Sequence, residues 1–344
     1  MDLRQQLPSS HIEKLIQQQG DHISQTQLQS GAIPWYQNGI TDPWDHVESA
    51  IALDASGRPE AAARAYLWLR DYQNPDGSWW SSYIDNKPED LTRDTNYSTY
   101  LAVGLWYHYQ LTGNREFVAE MWPTMERGIN FALQLQQPTG EVHWASDVDG
   151  MVYPVALIAS SSSVFQSLRA AVRIAELLGL SKPEWSAAGR RLARAIRKRP
   201  DLFQNSVDGQ FDYAMSWYYP VLVGILKGAR AKAHISEKWS DYVLDGRGCK
   251  CVVEEPWWIT VASTCELVLE LNRLGEQDRA ALLLHWILEL RDEDGRFWTG
   301  MKIPEEEIWP PAQKPSWVSA AMIIALTSQI EARGRGRRLF GRFV

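Results

Sequence analysis

Six residues near the start of the chain, Asp42-Pro-Trp-Asp-His-Val47, hold two carboxyl groups, an indole and an imidazole in little more than one helical turn. A helix start needs a single capping acid, so the further acids at Asp45 and Glu48 are available for chemistry. Similar groupings recur before other apolar stretches: Asp94 beside Tyr97, Asp212 ahead of Trp217, and Glu254-Glu255 ahead of Trp257-Trp258. Hydrolysis of a glycosidic bond requires two carboxyl groups flanking a sugar. One is protonated to release the leaving oxygen, and the other is ionised to activate water or attack. It also uses indole and phenol rings as flat apolar platforms for sugar faces. The candidate catalytic residues are therefore Glu254, Glu255, Asp94, Asp45, Glu48 and Asp212. The candidate substrate-binding residues are Trp44, Tyr97, Tyr153, Trp217, Trp257, Trp258, Trp309 and Trp317.

Each candidate is weighed against a structural role. Asp42 or Asp45 suits a helix cap, Asp94 follows Arg93 and suits a local ion pair, and Asp212 suits a turn. Glu254-Glu255 is the hardest to assign to structure: adjacent carboxylates repel, and the flanking Trp257-Trp258 would desolvate them, which raises a carboxyl pKa as a general acid requires. His46 and His108 read as hydrogen-bonded core residues rather than ligands. Cys249, Cys251 and Cys265 have no zinc-type spacing beyond one Cys-x-Cys, so they read as core or loop thiols. Ser160 to Ser163 lack the Gly-x-Ser-x-Gly context of a hydrolase nucleophile. The expected reaction needs no metal and no other cofactor.

To act together these groups must be carried to one place, and the repeats of the chain supply the means. Helical apolar spacing runs through Val47, Ile51 and Leu53, breaks at Gly57, and resumes through PEAAARAYLWLRDYQ until the turn NPDGSWW. Five more units open near Thr95, Ser160, Met215, Trp258 and Trp317. Six helical hairpins without a convincing alternating strand predict an all-α protein, a single (α/α)6 barrel or toroid over residues 31–332. A helical extension over 1–30 precedes it, and a basic tail over 333–344 follows. Inner helices covered on both sides should be apolar nearly all round, as SAAMIIALT and YPVLVGIL are. The loops leading into them would then converge on one end, making Asp42–Val47 one of several contributions to a common pocket.

The composition narrows the partners. A net charge of −7 opposes nucleic-acid binding, which needs a basic face. The 17 tryptophans exceed what packing requires and point to a lined cavity. No signal peptide or membrane span is legible, and three cysteines form no disulfide framework, so the expected location is cytoplasmic. The tail from Arg333 to Phe343 carries five arginines and reads as a solvated helix end, with contact to an anionic surface as its alternative.

Two families resemble this pattern. RAYLWLRDYQNPDGSW (Arg64 to Trp79), with looser copies RGINFALQLQQPTGEVHW and LLHWILELRDEDGRFW, resembles the QW repeat of terpene cyclases, whose toroid is shared with protein prenyltransferases. Their Asp-x-Asp-Asp motif is matched only by DVDG at Asp147 to Gly150, which lacks the last acid. Asp94 to Leu133 and the hairpin opened by DPWDHV resemble six-hairpin glycosidases of the glucoamylase and debranching-enzyme type, a likeness spanning most of residues 40–330. That resemblance implies a carbohydrate-active enzyme, a glycoside hydrolase with a carboxylate acid/base pair in an aromatic-lined pocket at one barrel end. The alternatives are an isoprenoid cyclase or transferase, a sugar epimerase on the same barrel, and a non-catalytic binding toroid. Acidic leading loops disfavour a diphosphate substrate.

Overall fold

The computed structural model describes residues 8–334 and 339–340; Arg335, Arg337, Arg338 and Arg342 of the basic tail lie outside the described residues. Helix α1 (Ser9–Thr26) precedes a first hairpin of α2 (Pro43–Ala55) and α3 (Pro59–Asp71). The second hairpin joins a short α4 (Thr95–Thr99) and α5 (Leu101–Thr112) to α6 (Arg115–Gln134), and the third pairs α7 (Ile158–Leu178) with α8 (Pro183–Lys198). The fourth comprises α9 (Ala214–Leu222), α10 (Gly228–Glu237) and the turn α11 (Trp239–Tyr242); α12 (Val261–Leu274) and α13 (Gln277–Ile287) form the fifth, and α14 (Ser316–Ala332) follows.

Local chemistry sets the boundaries. Asp42 caps α2 by accepting from the amides of Trp44 and Asp45, and Pro43 takes the first helical position, where its missing N–H is not needed. Helices α5, α7 and α12 stop at left-handed glycines, Gly113, Gly179 and Gly275, so the chain reverses within a few residues. Because these inner-to-outer turns are short, the inner helices all start at one end of the molecule. The returning connections are long and gather there. They carry the short antiparallel strands, including Ile40–Thr41 with Ser82–Ile84, and Trp257–Thr260 with Gly300–Ile303.

The inner helices form a closed ring: α14 packs on α2, α2 on α5, α5 on α7, α7 on α9, α9 on α12, and α12 on α14. This is the expected (α/α)6 barrel. Outer helices α3, α6, α8, α10 and α13 cover their partners. The sixth outer position is filled by α1, which packs along α14. The expectation of an extension over 1–30 therefore gives way to a helix built into the barrel wall, amphipathic because its Ile12, Leu15, Ile16 and Ile23 face inward.

The QW-like turns explain how the outer helices are joined. Gln73 Nε2 donates to Gly77 O (2.9 Å) and to Thr124 O on α6 (2.8 Å), while Arg127 from α6 donates back to Gln73 Oε1 (2.9 Å). Trp79 packs back on its own helix, its indole N–H bonded to Leu69 O at 2.8 Å. Gln136 repeats the arrangement with Gly140, Ala188 and Arg191 of α8. Gln27 makes a further copy with Gly31, Ala61 and Arg64 of α3. In the fourth copy Arg291 replaces the glutamine: it donates to Gly295 O and to Gln18 Oε1 of α1, and Gln19 of α1 also reaches Gly295 O.

These turns tolerate no added bulk. A Cβ at Gly31 (φ 100°) would lie 2.2 Å from Arg64 O, whereas Gly57 (φ 81°) has nothing within 4 Å. Gly31→Ala is expected to lower the unfolding free energy by about 2 kcal/mol or more, and Gly57→Ala by about 1 kcal/mol from backbone strain alone. Equal losses in urea titrations of the two variants would show that the close approach to α3 contributes nothing.

Candidate active site

All six inner helices line one narrow central cavity. Helix α2 projects Asp45 and Glu48 toward it from successive turns of one face. Helix α12 contributes Glu266 and α9 contributes Tyr219. Tyr100, between α4 and α5, donates to Glu48 Oε1 at 2.6 Å. Glu266 accepts from the Tyr219 hydroxyl at 2.6 Å and from the Tyr218 hydroxyl in a shorter contact. Over this group lies Trp44, edge-on to Tyr97, Tyr100 and Tyr219 at centroid distances of 6.2, 5.8 and 5.9 Å. Since α9 stands opposite α2 in the ring, these rings close across the lumen.

The carboxyl groups differ in the hydrogen-bond donors that reach them. Asp42, at the rim, accepts from two backbone amides and from Trp35 Nε1 at 2.6 Å. Glu48 accepts from Tyr100 and, at 3.4 Å, from Trp44 Nε1. Burial raises the pKa of Glu266 to about 8, assisted by the charge of Glu48 and opposed by its two tyrosine donors. Asp45 is raised well above the ordinary carboxylate value by burial, then by the charge of Asp42 and its hydrogen bond, and by Glu48 and Glu266; no donor offsets this. Asp45 is therefore held in the protonated form.

Of the acids expected from sequence, Glu48 lines the lumen with Glu266, and Asp45, one turn before Glu48 on α2, lies within electrostatic reach of both. Asp94 is buried beside the cluster as the cap of α4, accepting from the amides of Asn96 (2.6 Å) and Tyr97 (3.2 Å), and burial raises its pKa to about 7. Its expected partner Arg93 instead binds Asp76 at 2.7 Å. Asp212 and Glu254 meet each other on the rim: the Asp212 amide donates to Glu254 Oε1 at 3.1 Å, and Asn205 donates to the Asp212 carboxylate at 2.5 Å. Glu255 is exposed, so the desolvation expected from Trp257-Trp258 does not reach it.

Among the aromatics, Trp44 meets Tyr97 edge-on and also touches the lumen residues Tyr100 and Tyr219. Trp317, on the first turn of α14, meets Trp35 edge-on at 6.0 Å. Trp217 is a correction: it turns outward, stacked on Tyr242 at 4.8 Å with its indole N–H toward His234 O, and is 3% exposed. Trp258 donates to Trp309 O, Lys302 lies over the exposed Trp309, and Lys250 lies over Trp257, so these three rings belong to the rim. Tyr153 stacks on Trp144 in the loop before α7. The histidines are structural. His46 Nδ1 accepts from the Ile33 amide, so its Nε2–H donates to Ala65 O; burial lowers its pKa to about 4. His108 binds Asp54 at 2.9 Å.

Glu266, Tyr218 and Tyr219 were not among the sequence candidates. The available signal was a carboxylate inside an apolar run, STCELVLEL, where a charge is seldom accidental.

No family model matches the chain. The MMP endo-(1,4)-3-O-methyl-alpha-D-mannosidase of Mycolicibacterium hassiacum is 41% identical over 303 residues, covering 88% of this chain and 82% of the relative. Among solved structures, the GH63 mannosylglycerate hydrolase from Thermus thermophilus aligns with a TM-score of 0.69 at 14% identity, over 91% of this chain and 99% of that one. The cellobiose 2-epimerase from Spirochaeta thermophila aligns with a TM-score of 0.67 at 14% identity, over 95% and 98%. These two share the barrel. Among the described residues, no helix is long and apolar enough to cross a membrane. The extent of identity with the mannosidase, along most of both sequences, shows that the chain belongs to the family of that endo-mannosidase and is a glycoside hydrolase.

Proposed function

We propose that the chain cleaves an internal α-(1→4) bond of a 3-O-methylated mannoside, with Asp45 as general acid and Glu266 as the carboxylate that activates water. The substrate class is supported by the name of the 41% identical relative. The roles are supported by one asymmetry: Glu266 has two tyrosine hydroxyl donors to stabilise its charge, and Asp45 has none. Asp45 protonates the glycosidic oxygen as the C1–O bond breaks, and Glu266, in the fraction that ionises as pH approaches its raised value of about 8, takes a proton from the water that attacks C1. Trp44 and Tyr97 provide the platform against which the sugar lies. The free thiols of Cys249, Cys251 and Cys265 support a reducing, cytoplasmic setting.

Incubation with an α-(1→4)-linked 3-O-methylmannose oligosaccharide is expected to give two shorter sugars whose summed mass exceeds the substrate by one water. Asp45→Asn and Glu266→Gln should each lower kcat by roughly 10²- to 10⁴-fold, with KM changed a few-fold at most. Glu254→Gln should stay within about threefold of wild type, since its carboxylate serves a backbone amide on the rim. Full turnover by Asp45→Asn would overturn the assignment.

The same burial predicts a pH-dependent stability. A carboxyl whose pKa is raised in the folded state stabilises the fold below its unfolded value, and that contribution is lost as pH rises through the folded value. Glu266, raised from 4.5 to about 8, places the loss between about pH 4.5 and 8. Denaturant unfolding should show the wild type weaker at pH 9 than at pH 5 by on the order of a few kcal/mol. Glu266→Gln should flatten this slope, and an unchanged slope would locate the titration elsewhere.

A further inference from the structure

Below the carboxylates the lumen continues to a base formed by Tyr107, Leu222, Leu269, Arg273 and Ile324. Among the described residues, Phe340 is the one lining side chain carried by none of the inner helices or their caps. It is 1% exposed, and its ring lies 4.9 Å from that of Tyr107. Two hydrogen bonds with charged partners seat it: Arg273 Nε donates to Phe340 O at 2.7 Å, and the Leu339 amide donates to Glu331 Oε1 at 2.9 Å. Arg273 also reaches Tyr107 Oη at 3.4 Å and the carbonyl of Leu222. It follows Glu266 by two turns of α12, so one face of one helix carries both the carboxylate and the anchor of the base.

We propose that Phe340, seated by Arg273, is the floor of the substrate pit, a positioning residue that keeps water from reaching the carboxylates from below. The proposal rests on the lumen being the glycosidase site. A ring that fills the base of a narrow shaft removes the second route by which water could hydrate a charge inside it, leaving the mouth, which substrate itself covers. The tail residues Leu339 and Phe340 thereby act on the site itself, apart from any role of the arginines around them.

The group that should report an opened floor is Glu266. Asp45 and Glu48 face it from α2, and Tyr218 and Tyr219 from α9. Tyr100 faces it from between α4 and α5, Cys249 and Cys251 lie near it from the strand and loop before α12, and Cys265, Glu270 and Arg273, whose bond is to the Phe340 backbone, share its helix. Helix α14 presents only Ala321 and Ile324 to the lumen. None of these groups changes in a Phe340 variant, so a shift at Glu266 reports water.

The test uses the full chain with Phe340→Ala and, as a smaller opening, Phe340→Leu. The Glu266 carboxyl is titrated by infrared difference against Glu266→Gln, alongside melting curves and the pH profile of kcat/KM. Entry of water should move the Glu266 midpoint to lower pH by about one unit in Phe340→Ala, and by less in Phe340→Leu, with the activity optimum moving the same way. A lowered Tm with the midpoint within about 0.2 units of wild type would overturn the proposal, leaving Phe340 a structural residue. Should Phe340→Ala not fold, Phe340→Leu decides by the same criterion. A shifted midpoint in a protein that cleaves no glycoside would uphold the floor and refute the glycosidase assignment of the lumen.

Discussion

Ionising Asp42, Asp45, Glu48 and Glu266 together in a lumen walled by apolar helices is the constraint on which the arrangement of the site depends. Water is scarce and the charges repel, so each carboxyl either finds donors or keeps its proton. The structure distributes donors unevenly. Asp42 has two amides and an indole, Glu48 has a phenol and a weak indole contact, Glu266 has two phenols, and Asp45 has none. The inequality matters more than the crowding, because a glycosidase needs one group that gives a proton and one that takes it. A symmetric set of four equally solvated acids would supply neither.

Such a cluster weakens the fold that holds it, so the barrel must gain its stability elsewhere. The outer wall offers one source. Each glutamine turn links the end of one outer helix to the next by one carbonyl and an arginine of that helix, and the copies lie far from the lumen. The inner wall offers another, through helices such as α14 whose buried faces run nearly all round. Stability and chemistry thus occupy different radii of the same ring, and substitutions at the glutamine turns should leave the carboxylate chemistry alone.

Much of this was legible in the sequence because it is written in local spacing. Asp42-Pro43 announced the start of α2, glycines marked the reversals, and the glutamine-glycine-tryptophan turns marked the hairpins. What escaped depends on helix azimuth. Each residue advances about 100° around the axis, so Tyr218 and Tyr219 reach the lumen while the adjacent Trp217 stacks outward on Tyr242. Sequence alone cannot phase a helix that is apolar on every side. Glu266 escaped for the same reason, and also because it lies inside α12, away from the loops leading into the helices where acids and aromatics cluster in the sequence. Glu254-Glu255 misled in the opposite sense: adjacent charges beside tryptophans resemble a desolvated pair, yet they lie in the bend ahead of the Trp257–Thr260 strand, where Glu255 meets solvent.

The role of α1 was hidden by distance along the chain. Its Gln18 and Gln19 close the outer wall against Arg291 and Gly295, across more than 270 residues. Closure of the inner wall is equally remote: the Ser316 amide at the start of α14 binds Trp35 O at 2.7 Å, and the Ser316 hydroxyl binds Pro34 O. Trp35 is the same residue whose indole donates to Asp42 and whose ring meets Trp317. The seam of the barrel and the ionisation of the rim acid therefore share one side chain. Burial raises the Asp42 pKa and the Trp35 indole works against that rise, so an incompletely closed ring would leave Asp42 without this donor and closer to Asp45, and the difference between the two is complete only when the last inner helix has docked on the first.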